Sequence, residues 1–304
     1  MNNTNFSICK ANQEQRDYVL EQFPKLKKEE REKAIIYVAV NEIDNIIGRI
    51  LVTEKDVPNP ITGKYWYIIN VFVHPNFRRM GIATELVNEI KRQAEIFEIL
   101  YLYGSANATV EASLFWFNQN FTLNSYGKKQ DNVNAPLLYG NYYHLFSYRI
   151  ERKTLIPNNT FNCIKRASKD EIQQAIDTYI FDDKKKEYFL SKANDLLGFV
   201  AIGDNENIQG TIIAFSDSMQ APLDCTRLWI NVFVEPKCRN QGIGKILVYE
   251  VYQYAKENDI AQLTNFDITE DNIGFWYEIG FDIFFWGVNA STGKRGTTAM
   301  LRVK

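Results

Sequence analysis

The sequence has few residues of the kinds that build metal centres and disulfide frameworks. It contains two histidines, His74 and His144, and four cysteines, with no Cys-x-x-Cys spacing, no HExxH segment and no Cys/His cluster. Zinc sites are built from such clusters of thiolate and imidazole ligands, so we expect no metal. The cysteines are expected to be free thiols, which is typical of a cytosolic protein.

The sequence also lacks a strong excess of charge and a long apolar run. Its net charge is −2, with +1 over residues 1–150 and −3 over residues 151–304. Neither half has the basic excess that binds nucleic acids or anionic membranes, so neither partner is expected. Every apolar run is shorter than the ~18 residues of a membrane-spanning helix. The N-terminal segment lacks the basic-then-apolar order of a signal peptide, so we expect a cytoplasmic protein.

What the sequence does contain is an internal repeat. Residues 69–90 (INVFVHPNFRRMGIATELVNEI) and 230–251 (INVFVEPKCRNQGIGKILVYEV) are identical at 12 of 22 positions, at an offset of 161. Chance at this composition would give about one or two identities. A period of this length is that of a whole domain. We predict an N-terminal domain over 1–150 and a C-terminal domain over 160–304, joined by a polar linker over 151–159.

Each half is predicted to fold as a strand, helices, three strands, a helix, a strand, a helix and two strands. This order is typical of a mixed α/β (α+β) architecture with a mixed sheet. The strand Tyr65–Val73 is almost continuously apolar, which predicts burial on both faces. The last helix of each half is expected to begin near Thr109 or Thr269 and to end at Asn120 or Gly280, since hydroxyls cap helix starts and these last two types accept left-handed backbone.

In each half, an apolar strand leads into Pro, then Arg-x-x-Gly-x-(Gly/Ala), then a long amphipathic helix. The two segments are Arg78–Ala83 and Arg239–Gly244. Backbone N–H groups at a helix N-terminus attract anions, glycines remove the Cβ atoms that would hold a phosphate away, and the arginine adds positive charge. We therefore predict a cradle for a phosphate-bearing ligand. Neither a Walker A lysine nor GxGxxG is present, so a nucleoside triphosphate or NAD is not expected.

Both halves resemble the GCN5-related N-acetyltransferase (GNAT) superfamily. They share with it the segment just described, followed by a strand and an aromatic-rich helix that leads into Gly-Phe in the second half and Asn-Phe in the first. The resemblance implies two tandem acyl-CoA N-acyltransferase domains with acetyl-CoA as cosubstrate. It also implies that the strand before the loop is bulged and splays from its neighbour, which lets the pantetheine arm pair with its backbone.

The resemblance assigns the acetyl-CoA contacts to the loop and to the end of the strand before it. In the first half these residues are Val71, Phe72, Val73, Arg78, Arg79, Met80, Gly81, Ile82, Ala83 and Thr84. In the second half they are Val232, Phe233, Val234, Arg239, Asn240, Gln241, Gly242, Ile243, Gly244 and Lys245. Gly244 allows closer approach than Ala83, so the second half is expected to be the better acetyl-CoA site.

The general acid is left open by the sequence. Many members of the family carry a tyrosine on the last helix, four residues before the Gly of Gly-Phe. Trp276 stands there in the second half and Trp116 in the first. Tyr277 is rotated from that place by about 100° around the helix. It is the catalytic candidate on this helix, with water as the other proton source.

Candidates for the remaining catalytic roles lie in and after the two apolar strands. Glu235 ends the strand of the second half and His74 that of the first; either can take an amine proton, or be a solvated strand end. Asn231 and Asn70 lie inside the strands, where a buried amide contacts substrate or makes a structural hydrogen bond. Asp267 ends the next strand and is a further candidate base or a surface acid.

The family resemblance implies an acetyl-CoA-dependent N-acetyltransferase. The acceptor would be a primary amine of a small molecule or peptide, which attacks directly in a ternary complex. In the family, the acceptor groove lies between the first two helices and the last loop, here about 181–186 with 287–296 and 23–29 with 124–136. The missing tyrosines leave open an inactive CoA-binding or protein-interaction module. The sequence leaves the oligomeric state undetermined.

Overall fold

The computed structural model describes most of the chain in two compact units, Met1–Arg152 and Lys153–Lys304. The described residues are 5–56, 63–107, 109–128, 142–150, 155, 163–180, 183–192, 195–203, 206–218, 226–265, 268–269, 271–288 and 295–303. The predicted linker over 151–159 lies outside them apart from Leu155, so its bounds and those of the domains beside it stay predictions.

The first unit is a seven-stranded mixed sheet with helices on both faces. Its strands are β1 (Phe6–Lys10), β2 (Ala34–Asn41), β3 (Ile46–Asp56), β4 (Lys64–Val73), β5 (Tyr101–Asn107), β6 (Thr122–Lys128) and β7 (Tyr142–Arg149). Its helices are α1 (Gln13–Glu21), α2 (Lys28–Glu32), α3 (Ile82–Ile96) and α4 (Val110–Asn118). The strand order is β1-β2-β3-β4-β5-β7-β6, and β4 and β5 pair in parallel.

The second unit repeats this architecture. Its strands are β8 (Ile164–Arg166), β9 (Leu196–Ile202), β10 (Ile208–Ser218), β11 (Thr226–Val234), β12 (Gln262–Asn265), β13 (Asp282–Val288) and β14 (Arg295–Arg302). Its helices are α5 (Lys169–Tyr179), α6 (Asp183–Ser191), α7 (Ile243–Glu257) and α8 (Ile273–Glu278). The strand order is β8-β9-β10-β11-β12-β14-β13, with β11 and β12 parallel. The predicted mixed α/β architecture, written twice, is confirmed.

The helix ends follow the local chemistry with one exception. The Thr109 hydroxyl caps α4 by accepting from the backbone N–H of Ala112 at 3.2 Å, and Asn120 and Gly280 adopt φ of 62° and 98°, as predicted. The predicted start of α8 near Thr269 is wrong, because the helix begins at Ile273. The side chain of Asn272 accepts from the backbone N–H of Thr269 at 2.9 Å. This local bond holds the segment in a turn before the helix.

The prediction that the central apolar strand is buried on both faces is wrong. Only Trp66 and Ile68, which share one face, are buried, whereas Tyr65, Tyr67 and residues 69–73 are half-buried. For residues 69–73 the cause is the neighbouring strand, since β4 pairs with β5 only over Tyr65–Ile68 and the two then diverge. In the second unit, β11 and β12 pair only over Arg227–Trp229, so β11 is left open in the same way.

The strands β4 and β11 differ in their pairing, because one residue of β4 has no partner on β3 whereas every residue of β11 has one on β10. Opposite β3, the register shifts at Ile69: Leu51 pairs with Asn70, but Val52 pairs with Ile68. This is a β-bulge, in which two residues of one strand face one of the other. The register between β10 and β11 is continuous from Gly210 to Ser218, so the implied bulge is present in the first unit and is a wrong expectation for the second.

The helices of both units are short or strongly amphipathic. The longest, α3 and α7, have 15 residues each and bury one face against their sheets. Among the described residues, no helix is both long enough and apolar enough to cross a membrane.

Candidate active site

Each unit contains a wedge-shaped gap between two parallel strands that separate. In the first unit it opens beyond Ile68 of β4 and Gly104 of β5, and in the second beyond Trp229 of β11 and Thr264 of β12. Beyond these points no strand of the described part of the chain pairs with this edge of β4 or β11, so its outward N–H and C=O groups can pair with an extended ligand.

The loop after the gap has the same geometry in both units. A single 3₁₀ turn begins at Pro75 or Pro236, directly after the strand. The following arginine then folds back: the Nε of Arg78 donates to the carbonyl of Val73, and that of Arg239 to the carbonyl of Val234, each at 3.2 Å. One N–H of each guanidinium therefore fixes the loop to the strand.

Left-handed backbone then turns the chain into the long helix. Arg79 and Asn240 have φ of 64° and 61°, and Gly81 and Gly242 have φ of 82° and 84°. Both glycines occupy the N-cap position, and no described side chain makes the capping hydrogen bond there. The first N–H groups of α3 and α7 have no partner within their own helix, so they are available to an anion.

The N-cap glycines face open space. A Cβ built on Gly81 or Gly242 would have no described heavy atom within 4 Å. An anion placed there would meet backbone N–H groups with no methyl group between, so the loops fit the phosphates of a CoA molecule.

Gly244 has a different role from the one expected. A Cβ at Gly244 would lie 3.2 Å from Cζ of Phe275 and 3.6 Å from Cγ2 of Val234. The missing side chain therefore admits the Phe275 ring of α8 against α7. The expected closer approach of ligand at Gly244 is not what this position provides, because it faces protein rather than the open side of the loop.

The local charge does favour the second loop. Glu85 lies in the first turn of α3, where a carboxylate opposes a bound anion. The corresponding residue of α7 is the neutral Ile246, while the gain of Lys245 in place of Thr84 only offsets the loss of Arg79 to Asn240. Since the first turn of a helix is where charge matters most for an anion, the second cradle is the more positive.

The other residues that the resemblance assigns to acetyl-CoA lie along these two loops and strand ends. Ile82 and Ile243 are each only 1% exposed, so their side chains belong to the core and only their backbones face the loop. The half-buried residues are Val71, Phe72, Val73, Met80, Ala83, Thr84, Val232, Phe233, Val234, Gly244 and Lys245. The exposed ones are Arg78, Arg79, Gly81, Arg239, Asn240, Gln241 and Gly242.

At the end of β11, the structure brings together a cluster that the sequence analysis identified only in part. Glu235 is half-buried, and its Oε1 accepts a hydrogen bond from the hydroxyl of Tyr179, the last residue of α5. The Tyr179 ring stacks on Phe233, with centroids 5.1 Å apart and planes 10° apart. Burial, then the hydrogen bond and negative charge of Glu235, raise the pKa of Tyr179 to about 12. Glu235 is thus a positioned carboxylate rather than a freely solvated strand end.

Tyr179 was missed from the sequence because it lies 56 residues before Glu235. One pattern could have indicated it: Ile172, Ala175 and Ile176 form the buried stripe of α5, and Tyr179 continues that stripe. It therefore had to face the sheet, near the residues that project from the same face of β11.

Asn231 lies on the same face of β11 as Phe233 and Glu235, because side chains two apart share a face. It is half-buried, and its amide makes no hydrogen bond to any described residue. Beside Phe233, as its register partner on the neighbouring strand β10, lies Thr211, which is 1% exposed. The Asn231 amide is therefore a polar group beside the gap without a structural partner in the described part of the chain.

The first unit is built differently at the same place. Arg49 of β3 stands where β10 has Thr211, as the register partner of Phe72. Its Nε donates to Oδ1 of Asn70 at 3.3 Å, so the Asn70 amide has the structural hydrogen bond that Asn231 lacks. His74 is exposed, and its Nδ1 accepts from the nearby backbone N–H of Asn76, at 3.4 Å. His74 thus fits the alternative of a solvated strand end.

The last helices carry core residues at the expected acid positions. Trp276 and Trp116 are 3% and 6% exposed, and each packs edge-to-face on the phenylalanine five residues later, Phe281 or Phe121. Tyr277 is half-buried on α8, and no hydrogen bond links it to the Glu235–Tyr179 pair. Its catalytic role stays a prediction.

Some predicted positions cannot be placed. Asp267 lies outside the described residues, and so do most of the acceptor segments 287–296 and 124–136. In the part of the chain that is described, no three His, Cys, Asp or Glu side chains are grouped so as to hold a metal ion.

The sequence profile of the acetyltransferase (GNAT) family matches this chain twice, over residues 5–114 and 161–281. The chain belongs to the GNAT family. The two matches fall in the two structural units, so each unit is a GNAT domain and the chain is a tandem duplication. No curated protein matches the sequence.

Solved structures similar to this GNAT chain include family members from bacteria and a plant. An acetyltransferase of Staphylococcus aureus Mu50 is 16% identical, over 48% of this chain and 100% of its own, with a TM-score of 0.34. Arabidopsis thaliana NAA60, in complex with acetyl-CoA, is 15% identical over 48% and 99%, with a TM-score of 0.39. A GNAT acetyltransferase of Elizabethkingia anophelis with acetyl-CoA bound is 18% identical over 48% and 98%, at 0.37. With TM-scores below 0.5, these likenesses add nothing to the family match.

The two GNAT units therefore share one feature and differ in another. The loop and gap have the same backbone geometry in both. The side chains beside the gap are Tyr179, Asn231 and Glu235 in the second unit, against Arg49, Asn70 and His74 in the first. The second set contains a carboxylate and the first a guanidinium, so the side chains beside the two gaps carry opposite charges.

Proposed function

We propose that the protein transfers an acetyl group from acetyl-CoA to a primary amine of a small molecule or peptide, and that the second unit carries the reaction. The observation that carries this proposal is the Glu235–Tyr179 pair, which stands at the end of the strand that leads into the more positive anion cradle. A carboxylate and a phosphate-binding loop thus lie at the same strand end.

Acetyl-CoA would supply the activated acetyl thioester. Its phosphates would meet the backbone N–H groups of Asn240–Lys245, aided by the helix dipole of α7 and by the charges of Arg239 and Lys245. Its pantetheine arm would pair with the open backbone edge of Val232–Val234. The support is the φ of 84° and the empty space at Gly242.

The acceptor amine would bind beside Glu235. A carboxylate attracts the ammonium form of an amine, and the stacked rings of Tyr179 and Phe233 offer the aromatic surface on which cations bind. The amide of Asn231, which has no hydrogen-bond partner among the described residues, can bond to either substrate. Holding the amine and the thioester together supplies a large part of the rate.

Tyr179 would act by positioning Glu235. With a pKa of about 12, its hydroxyl stays protonated at neutral pH and keeps donating to Oε1 of Glu235. The second carboxylate oxygen is then directed at the ammonium group, from which Glu235 takes one proton, directly or through one water, so that the neutral amine can attack in the ternary complex. The nitrogen loses its second proton as the C–S bond breaks, and the CoA thiolate is protonated to the thiol. The buried Trp276 gives no proton to the leaving thiolate, which leaves Tyr277 or water for that step.

The test is an amine and peptide panel assayed by release of CoA thiol. We expect turnover with at least one primary amine, at least about tenfold slower in both Glu235→Gln and Tyr179→Phe. The matched control is Tyr254→Phe on α7, which removes a hydroxyl from the other face of the sheet and should leave the rate unchanged. The proposal is overturned if Glu235→Gln has the wild-type rate, or if only first-unit variants lower it.

The second candidate is an inactive CoA-binding or interaction module. It is favoured by the buried tryptophans, Trp116 and Trp276, at both expected acid positions. Binding of acetyl-CoA without thiol release for any amine of the panel would support it. Thiol release with any one of them would exclude it.

A further inference from the structure

The first unit contains a buried charge without a counter-charge. Arg49 is 9% exposed, in the middle of β3. Its guanidinium carbon lies 4.6 Å from the ring centroid of Phe72 and 5.6 Å from that of Phe23, which follows α1. Its Nε donates to Asn70, and no carboxylate among the described residues lies within ion-pair distance of it. Burial lowers the pKa of this guanidinium.

Burying the Arg49 guanidinium lowers the stability of the folded protein unless another group compensates for the hydration that it loses. Taking a charge out of water is unfavourable, and the attraction of two phenyl rings recovers only part of that cost. The neutral Asn70 satisfies one N–H of the five that a guanidinium carries. The Nη groups have no acceptor in the described part of the chain, yet they are not fully enclosed, so this edge of the guanidinium stays accessible to a ligand.

The fold itself does not require this arginine. In the second unit the corresponding residue is Thr211, buried at the same register opposite the strand phenylalanine. A small neutral side chain therefore completes the same sheet, and Arg49 replaces it in the unit that has no Glu235–Tyr179 pair. A residue that is costly for folding and unnecessary for the fold is best explained by a ligand.

We propose that the groove formed by Arg49, Asn70, Phe72 and Phe23 binds the carboxylate group of a small organic acid, such as an amino acid. The planar fork of a guanidinium edge donates two parallel hydrogen bonds to a planar carboxylate. Phe72 and Phe23 stand against the guanidinium, so a flat anion fits beside these rings better than a tetrahedral one. Lysine could not replace Arg49, because it has no such fork.

The inference is independent of acetyl transfer in the second unit, since binding is measured without acetyl-CoA and without turnover. The experiment uses the full-length protein and ligand-observed NMR with the protein amino acids, acetate and succinate. Each acid that binds is compared with its carboxamide, and inorganic phosphate is the tetrahedral probe. The variants are Arg49→Met, which keeps an unbranched side chain, Arg49→Lys, which keeps the charge, and Arg92→Met as the control arginine on the surface of α3.

We expect at least one acid to bind wild type and Arg92→Met equally. Binding should weaken at least about tenfold in both Arg49→Met and Arg49→Lys, and for the carboxamide. If Arg49→Met fails to fold, as judged by circular dichroism, Arg49→Lys decides. The proposal is overturned if no acid binds in a way that depends on Arg49, if a carboxamide binds as well as its acid, or if phosphate binds there as tightly as the best acid.

Discussion

The Gly242→Ala substitution separates what the anion cradle does for folding from what it does for a ligand. Gly242 has φ of 84°, and a Cβ there would touch nothing within 4 Å. The added methyl group therefore costs no clash, only backbone strain, of about 1–2 kcal/mol for a left-handed alanine. The less flexible unfolded chain offsets this by about 0.4–1 kcal/mol. We expect a net loss of about 1 kcal/mol.

The matched control is Gly274→Ala on α8. A Cβ there also meets nothing within 4 Å, and the backbone of Gly274 is not left-handed. The same chemical change should stabilise the unit by about 0.5 kcal/mol, because alanine favours helix over glycine. With a slope near 2 kcal/mol per molar urea, the two variants should move the urea midpoint in opposite directions, by roughly 0.5 M down and 0.25 M up.

Binding is measured on the same proteins by calorimetric titration with acetyl-CoA. The methyl group of Gly242→Ala would occupy the space in which a phosphate meets the loop N–H groups. Losing one charge-assisted hydrogen bond of this kind costs about 1.5–3 kcal/mol, so affinity should fall by at least about tenfold. Gly81→Ala makes the same change in the first unit. Unchanged affinity in the Gly81→Ala plus Gly242→Ala protein would refute the assignment of both loops to acetyl-CoA, whatever the stability did.

Three other predictions follow from single contacts. Tyr179→Phe should lower kcat/KM about tenfold at every pH from 6 to 9. It should also lower the free energy of unfolding measured in urea, because the hydroxyl with its raised pKa stabilises the folded protein while it is protonated. This loss of stability should shrink only as the pH rises from about 10 through 12. A cost that changes between pH 6 and 9 would contradict this. Glu85→Gln should strengthen acetyl-CoA binding at the first loop about twofold in calorimetry at low salt, and an effect that persists at high salt would refute the helix-dipole explanation. Gly104→Ala places a Cβ 2.2 Å from Cζ of Phe146 and should cost about 1–3 kcal/mol in urea denaturation; a neutral result would mean that β5 and β7 are not packed as described.

The order of elements and the backbone geometry of the two glycine-containing loops could be predicted from the sequence because both depend on local rules. A Pro that stops a strand, a Gly that accepts φ near 83° and an apolar stripe at helical spacing act within a few residues of one another. The repeat strengthened the prediction, since the same local pattern occurs in both halves at one offset. The half-exposure of residues 69–73 of β4 could not be predicted, because it depends on where β5 turns away rather than on the composition of β4.

The side chains beside the gap could not be predicted because they are brought together by tertiary contacts. Glu235 was a candidate only as a strand end, and its partner lies on a helix 56 residues earlier. Arg49 interrupts the apolar segment IIGRILV, which gives no indication of burial between two rings. The bulge at Ile69 could not be predicted from the repeat, because the segment INVFV is identical in both halves. The two units differ instead in how the strand pairs with its neighbour, since β4 shifts by one residue against β3 at Ile69 and β11 does not shift against β10.

Duplication explains why one feature stayed the same in the two units and the other did not. The shape of the loop is set by a few φ angles, so exchanges of the side chains around it need not change that shape: Arg79 and Asn240 differ in chemistry but have φ of 64° and 61°. The groove beside the gap is made of side chains, and a single exchange changes its charge. Thr211 and Arg49 occupy one register position, and that exchange alone places a cation where the other unit has none. A cation there opposes an ammonium group and attracts a carboxylate. A single exchange at one register position, with the backbone of the loop retained, is therefore enough to reverse which charge is favoured beside the gap.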